Sequence, residues 1–312
     1  MNMSAQQLEL RQALSHGLLS FPITDFSEDG SFNATTYRQR IERFIENGVS
    51  AIFVAGGTGE FFSLSKEEYS QIVQVAVDTV DGRLPVIASA GRSIPEAIEF
   101  TKIAEDAGCH GILLMPPYLT GCPEEGLVDY ASTIMNSSSI SFVYYNRANG
   151  RLSSPSLEKL AQACPNFISL KDGIGDVASL NDTIKTIGDR LVYIGGVPTA
   201  EISAEAYMSI GVNTYSSAVY NFMPEMALKF YNALQSGDQA TVDEIIKNFF
   251  IPFCRLRDRQ KGYAVSLIKA GATLQGQTAG DVRSPLTMPT EKEVEELQAI
   301  ISSNQEALCF PA

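Results

Sequence analysis

Lys171 closes an apolar run, Phe167-Ile168-Ser169-Leu170, and is followed at once by Asp172 and Gly173. A lysine carried into a fold at such a point loses water, and desolvation disfavours its ammonium form. The neutral amine attacks carbonyl carbon to give a Schiff base. Position alone equally fits a strand-end lysine paired with Asp172 or another carboxylate. Tyr145 closes a second apolar run, Ile140–Tyr145. A phenol there can move protons on an amine-bound substrate, or simply cap a barrel with an aromatic ring. A third candidate is the turn Gly56-Gly57-Thr58-Gly59-Glu60. Such a turn exposes backbone N–H groups that can hold a carboxylate, though Gly-Gly also marks an ordinary tight turn. It is not a P-loop, because no Gly-Lys-Ser/Thr follows at the required spacing. Gly195-Gly196 fits a phosphate site or a close approach of two backbones.

These residues need a scaffold that brings them to one place. Short apolar, β-branched runs alternate with amphipathic stretches from end to end. The predicted strands are Leu18–Ile23, Ala51–Ala55, Pro85–Ala90, Gly111–Met115, Ile140–Tyr145, Phe167–Lys171, Leu191–Ile194 and Val212–Ser216. Their starts lie roughly 20 to 35 residues apart, room for one strand, one helix and two loops. Eight such units predict an α/β fold, a (β/α)8 TIM barrel, with the site at the C-terminal ends of the strands. There the sequence places the Gly56–Glu60 turn, Tyr118, Tyr145, Lys171, Gly195-Gly196 and Ser216-Ser217. The barrel is expected over residues 1–235, with a C-terminal helical extension, 236–312, packed on it. A doubly wound sheet would want a Gly-rich turn after its first strand; Thr24-Asp25-Phe26-Ser27 stands there instead.

Helix signals support the alternation. Asn33 precedes Ala34–Asn47, Ser65 and Glu68 form a capping-box pattern, and Ile94-Pro95-Glu96 opens a helix ended by Gly108. Pro123, Pro155 and Pro198 are expected in first turns, where a missing N–H costs little. Met223–Gln235, Asp238–Cys254, Gly262–Gly271 and Glu291–Ser302 read as the closing helices.

Composition excludes other classes. The net charge of −13 opposes binding to nucleic acid or anionic lipid. Two histidines, His16 and His110, supply metal sites and Ser-His-Asp triads poorly, and five scattered cysteines form no zinc spacing. No metal or cofactor is expected. The run Arg255, Arg257, Arg259, Lys261 reads as a solvated helix face or a subunit contact. No signal-peptide pattern and no apolar stretch of roughly 20 residues is found, so the expected address is the cytoplasm.

Taken together, Gly56–Glu60, Tyr145-Asn146 and Lys171 at barrel spacing resemble the dihydrodipicolinate synthase / N-acetylneuraminate lyase superfamily, from Gly17 to about Leu297. The resemblance implies that Lys171 forms the iminium and that Tyr145 transfers protons. It implies that Gly57 and Thr58, with the Thr58 hydroxyl, hold the carboxylate of a keto acid, and that Tyr118 meets a subunit interface. Gly196, Ser217 and an arginine complete the expected substrate contacts. Two departures matter. Synthases of this superfamily carry a hydroxyl residue where Gly57 stands, and the loop Arg147–Arg151 is one residue longer here. The second carboxylate of a substrate is therefore assigned to Arg151, with Arg147 as the alternative.

Within the superfamily, Gly17–Pro22, Asn146–Ser153, Leu170–Asp176, Lys261–Val265 and Lys269–Pro285 are similar to the 5-dehydro-4-deoxyglucarate dehydratase family. That resemblance implies a decarboxylating hydro-lyase acting on a small keto sugar diacid, as a homotetramer or homodimer, without cofactor. The alternatives are a keto-acid aldolase or synthase of the same superfamily, and a non-catalytic barrel that binds a sugar acid. The base that removes the C4 proton is left open.

Overall fold

The computed structural model describes residues 4–118 and 121–309. Eight parallel strands form the predicted barrel: β1 (Leu19–Ser20), β2 (Ala51–Val54), β3 (Val86–Ala90), β4 (Gly111–Leu114), β5 (Ser141–Asn146), β6 (Phe167–Asp172), β7 (Val192–Gly195) and β8 (Ser216–Ser217). They pair in the order β7-β6-β5-β4-β3-β2-β1-β8, and a bridge between Gly195 and Tyr215 joins the two ends.

Strand residues alternate between two cores, as period-two side chains must. Leu19, Phe53, Ile87, Leu113, Val143 and Ile194 fill the barrel interior. Their neighbours Leu18, Ile52, Val86, Ile112 and Phe142 pack outward under the helices. Each fully buried Leu, Ile or Phe contributes about 1.5–3 kcal/mol over its exposed state. The helices after residue 235 share this outer core through Val242, Phe249, Phe253 and Leu267.

Several signals act where they were expected. Ser65 and Glu68 form a reciprocal capping box, and the helix opened by Ile94-Pro95-Glu96, capped by a Ser93–Glu96 box that was not foreseen, ends at Gly108 in the left-handed conformation. Other expectations need correction. Strand β1 is shorter than Leu18–Ile23, and β8 is Ser216–Ser217 rather than Val212–Ser216. Pro123 is the N-cap of Glu124–Met135 rather than a first-turn residue. Pro198 precedes a 3-10 turn, Ala200–Ser203, that Thr199 enters at positive φ. The stretch after Asp238 is two α-helices, Gln239–Ile245 and Ile251–Arg257, joined by a π-helical turn at Ile246–Phe250.

One element was not foreseen. Helix α1 (Ala5–Ser15) opens with a capping box between Ser4 and Gln7. Its Leu10 and Leu14 are fully buried with the barrel interior and form its floor. Gly111, at the foot of β4, makes room: a Cβ there would lie 2.9 Å from Leu10. Arg11 fastens the helix by donating to the carbonyls of Asp189 and Arg190.

Candidate active site

Lys171 leaves β6 opposite Tyr145 of β5 and Ile194 of β7, all three facing inward. It is 3% exposed. Its Nζ donates to the Gly196 carbonyl at 3.1 Å and lies 3.9 Å from the Tyr145 ring centroid and 5.0 Å from that of Phe21. Asp172, one residue on, faces the other way. It accepts from the N–H groups of Ile174 and Gly175 and from the Tyr207 hydroxyl. The ion pair that position alone allowed is therefore not made, and none of the ion pairs among the described residues includes Lys171. Burial pulls the amine below the ordinary lysine value. The Tyr145 phenol opposes that pull and the Arg147 charge adds to it.

Tyr145 Oη donates to the same Gly196 carbonyl at 3.0 Å and accepts from Arg147 Nη1 at 2.8 Å. Burial alone would raise this phenol, but Lys171 and Arg147 outweigh it and hold it below the ordinary value. Gly196 is needed as glycine, since a Cβ would stand 2.5 Å from Lys171 Nζ. Of the two readings of Gly195-Gly196, close backbone approach fits: a Cβ on Gly195 would lie 3.0 Å from that of Tyr215.

The Gly56–Glu60 turn enters through Ala55 and leaves through Glu60, both at positive φ (50° and 58°). Strain of this kind, on the order of 1–3 kcal/mol per residue, persists only where surroundings impose it. Two contacts impose it. Phe21, stacked on Phe53 at 4.6 Å, fills the space a Cβ on Gly56 would need. Beneath the turn, Glu60 is fully buried, paired with Lys269 at 2.8 Å, and accepts from the Arg283 N–H at 2.8 Å. The N–H groups of Gly57 and Thr58 make no bond to another described residue, so both remain available to a ligand.

These parts open on one cavity of about 440 Å³. Gly57, Thr58, Tyr145, Lys171 and Gly196 line it, with Phe253, Arg257, Val265 and Ile268 from the C-terminal helices. Two expected residues are not brought there. Ser217 faces outward and donates to the buried Glu201; its neighbour Ser216 takes the place on the wall. The reason is register, because β8 pairs Ser216 with inward Leu19 and Ser217 with outward Ser20. Arg151 is exposed and outside the lining, whereas Arg147 is in it. Ala148, at φ 49°, turns the chain between them.

Sequence reasoning also missed residues. Arg257 was read as part of a basic surface run, yet it reaches the cavity rim, clamped to Asp258, Thr199 and the Pro198 carbonyl. The Glu60–Lys269 pair carried no local signal, since its members lie far apart in sequence. His110 is structural, accepting from the Val86 N–H at the foot of the barrel. Tyr118 is 93% exposed.

A closed barrel with an unpaired interior lysine, a phenol on its face and a carboxylate-sized N–H turn defines a class. The chain belongs to the dihydrodipicolinate synthetase family, whose model matches residues 14–304. The Bacillus clausii dihydrodipicolinate synthase superposes with a TM-score of 0.88 at 27% identity, over 95% of this chain and 99% of that one. More similar in sequence is a Pseudomonas putida protein named 5-dehydro-4-deoxyglucarate dehydratase, 50% identical over 94% of this chain and 97% of its own length. An Acinetobacter baumannii protein named as a probable enzyme of that activity is 49% identical over 95% of this chain and 98% of its own.

Proposed function

We propose that this chain converts 5-dehydro-4-deoxyglucarate to 2,5-dioxopentanoate, water and CO2 through a Schiff base on Lys171. The observation that carries the reading is the buried Lys171 amine, free of any carboxylate and within reach of the Tyr145 phenol. The near-full-length similarity to proteins named for this activity selects the reaction.

The amine attacks the C5 carbonyl and water leaves, giving an iminium. The C6 carboxylate lies against the N–H groups of Gly57 and Thr58 and the Thr58 hydroxyl. Tyr145 takes a C4 proton, because the positive nitrogen accepts the electron pair as an enamine. The enamine expels the C3 hydroxyl, protonated by Tyr145, and restores a conjugated iminium. The C1–C2 bond then breaks. Its electrons pass through C3 and C4 to the nitrogen, and CO2 departs. Protonation at C4, tautomerisation at C2 and hydrolysis release the aldehyde and the free lysine.

The part of the wall supplied by the C-terminal helices, where the far carboxylate would lie, carries Phe253, Val265 and Ile268. Arg257, a cation at the rim, has four of its five N–H donors held by Asp258, Thr199 and the Pro198 carbonyl. A poorly solvated carboxylate is disposed to lose its charge as CO2. The exposed Tyr118 borders a second, mostly apolar hollow with Phe62 and Leu127, which suits burial against another copy of the chain in a dimer or tetramer.

The test is an assay of 5-dehydro-4-deoxyglucarate that follows CO2 and 2,5-dioxopentanoate together, with equal yields expected. Pyruvate without CO2 would assign an aldolase instead, and binding without turnover a non-catalytic barrel.

A further inference from the structure

We propose that Arg147 is a positioning residue that keeps the Tyr145 phenol ready to accept protons from carbon acids bound to Lys171. This rests on the Schiff-base reading of the site and adds to it what makes its base competent. Among the described residues, the cavity lining contains no Asp, Glu or His side chain. Its hydroxyls are Thr58, Tyr145, Thr199 and Ser216; Thr199 is held by Arg257 at the rim, and Tyr145 is the one against both Lys171 and Arg147. A phenol ordinarily ionises near pH 10 and is a poor base at neutrality without help.

Lys171 cannot supply that help throughout the cycle. Its amine must be neutral to attack the keto group, and it regains positive charge only as the iminium. Arg147 is charged at every stage, because guanidinium does not deprotonate in proteins. Its Nη1 donates to Tyr145 Oη at 2.8 Å. The remaining surroundings of the phenol bring no competing charge. Asp172 on β6 turns to the opposite face, the exit of β4 brings Met115 and Pro116, and the exit of β7 brings the Gly196 carbonyl.

The chain is built to hold this contact. Gly173 leaves space for both side chains, since a Cβ there would lie 2.7 Å from the Tyr145 ring and 2.9 Å from Arg147 Cβ. The loop that follows is pinned on both sides. Asn146 exchanges two hydrogen bonds with the Leu152 backbone, and the Tyr144 hydroxyl donates to the Gly150 carbonyl.

The test uses pyruvate, which forms the iminium but has no second carboxylate for an arginine to grip. Exchange of its methyl hydrogens in D2O, followed by NMR across pH, reads proton transfer alone. Borohydride trapping on Lys171 reads iminium formation and confirms the fold. Arg147→Gln is expected to slow exchange at pH 7 by at least about tenfold while trapping persists. Its exchange profile should move to higher pH, with Arg147→Lys shifted less. Exchange unchanged, or slowed equally at every pH, overturns the proposal. Wild-type protein that is not trapped at all sinks the Schiff-base reading and this proposal together. Wild-type protein that exchanges pyruvate but releases no CO2 from the sugar diacid removes only the substrate assignment.

Discussion

Lys171 and Lys269 are both sealed from solvent, at 3% and 0% exposure, yet their neighbours differ in kind. Lys269 touches the Glu60 carboxylate at 2.8 Å, donates to the Asp281 carbonyl and sits over the Phe26 ring. Lys171 has one carbonyl and two aromatic faces. Burial pulls both amines down from the ordinary lysine value. For Lys269 the Glu60 carboxylate opposes that pull; for Lys171 the main opposition is a phenol. A paired cation braces the turn that carries Gly57 and Thr58, while an unpaired amine is left free to react. Burial alone does not make a lysine nucleophilic; burial without a counter-charge does.

The largest effect is expected at Lys171. Lys171→Ala should abolish turnover and pyruvate–borohydride labelling, with the thermal midpoint unmoved or raised. In the parent protein, mass spectrometry should find the label on the Lys171 peptide and never on Lys269. Label on Lys269 would invert the assignment. Tyr145→Phe should slow turnover by about 10²–10⁴-fold while leaving label on Lys171; full activity would move proton transfer to another group.

Lys269→Met should act on stability instead. Removing one member of a buried pair costs about 3–5 kcal/mol. Adding Glu60→Gln, which keeps an acceptor for the Arg283 N–H, should recover part of it in urea denaturation. A Lys269→Met protein as stable as its parent would show that the pair is not a brace.

Glu201 is a third case, a buried acid whose one side-chain hydrogen-bond partner among the described residues is the Ser217 hydroxyl. Burial raises it from 4.5 to about 7, against the Ser217 hydrogen bond. The folded state therefore holds a proton that the unfolded chain releases. That contribution is complete below the unfolded value of 4.5 and is lost as pH rises through about 7. It amounts to about 3 kcal/mol, and Glu201→Gln should flatten this part of the stability profile. An unchanged slope would show that Glu201 is ionised throughout. The smallest effect is expected at exposed Arg151, where Lys should change kcat/KM by less than about twofold. A large loss would return that residue to the site.

Much of this was legible in the sequence because apolar runs and strand ends are local signals. Lys171, Tyr145 and Thr58 stand at the ends of such runs, and the barrel brings them to one cavity. Ser217 was misplaced because β8 is two residues long, too short for alternation to set its phase. Arg151 was favoured over Arg147 because the positive φ of Ala148, which turns the chain, has no glycine to announce it. Helix α1 escaped because Leu10 and Leu14 are its only buried residues, though Ser4 and Gln7 marked its start. The Glu60–Lys269 pair is a product of tertiary structure and had no local trace.

Leu10 and Leu14 stop the lower end of the barrel, and the cavity that holds Lys171 opens at the upper end. Substrate, the water of hydrolysis, CO2 and the aldehyde all cross the same rim, between the Gly57 turn and the C-terminal helices. Entry and exit are then one traffic problem. A resident 2,5-dioxopentanoate blocks the next diacid, so the product is expected to inhibit competitively. How fast the rim clears sets a ceiling on turnover that no improvement at Lys171 can lift.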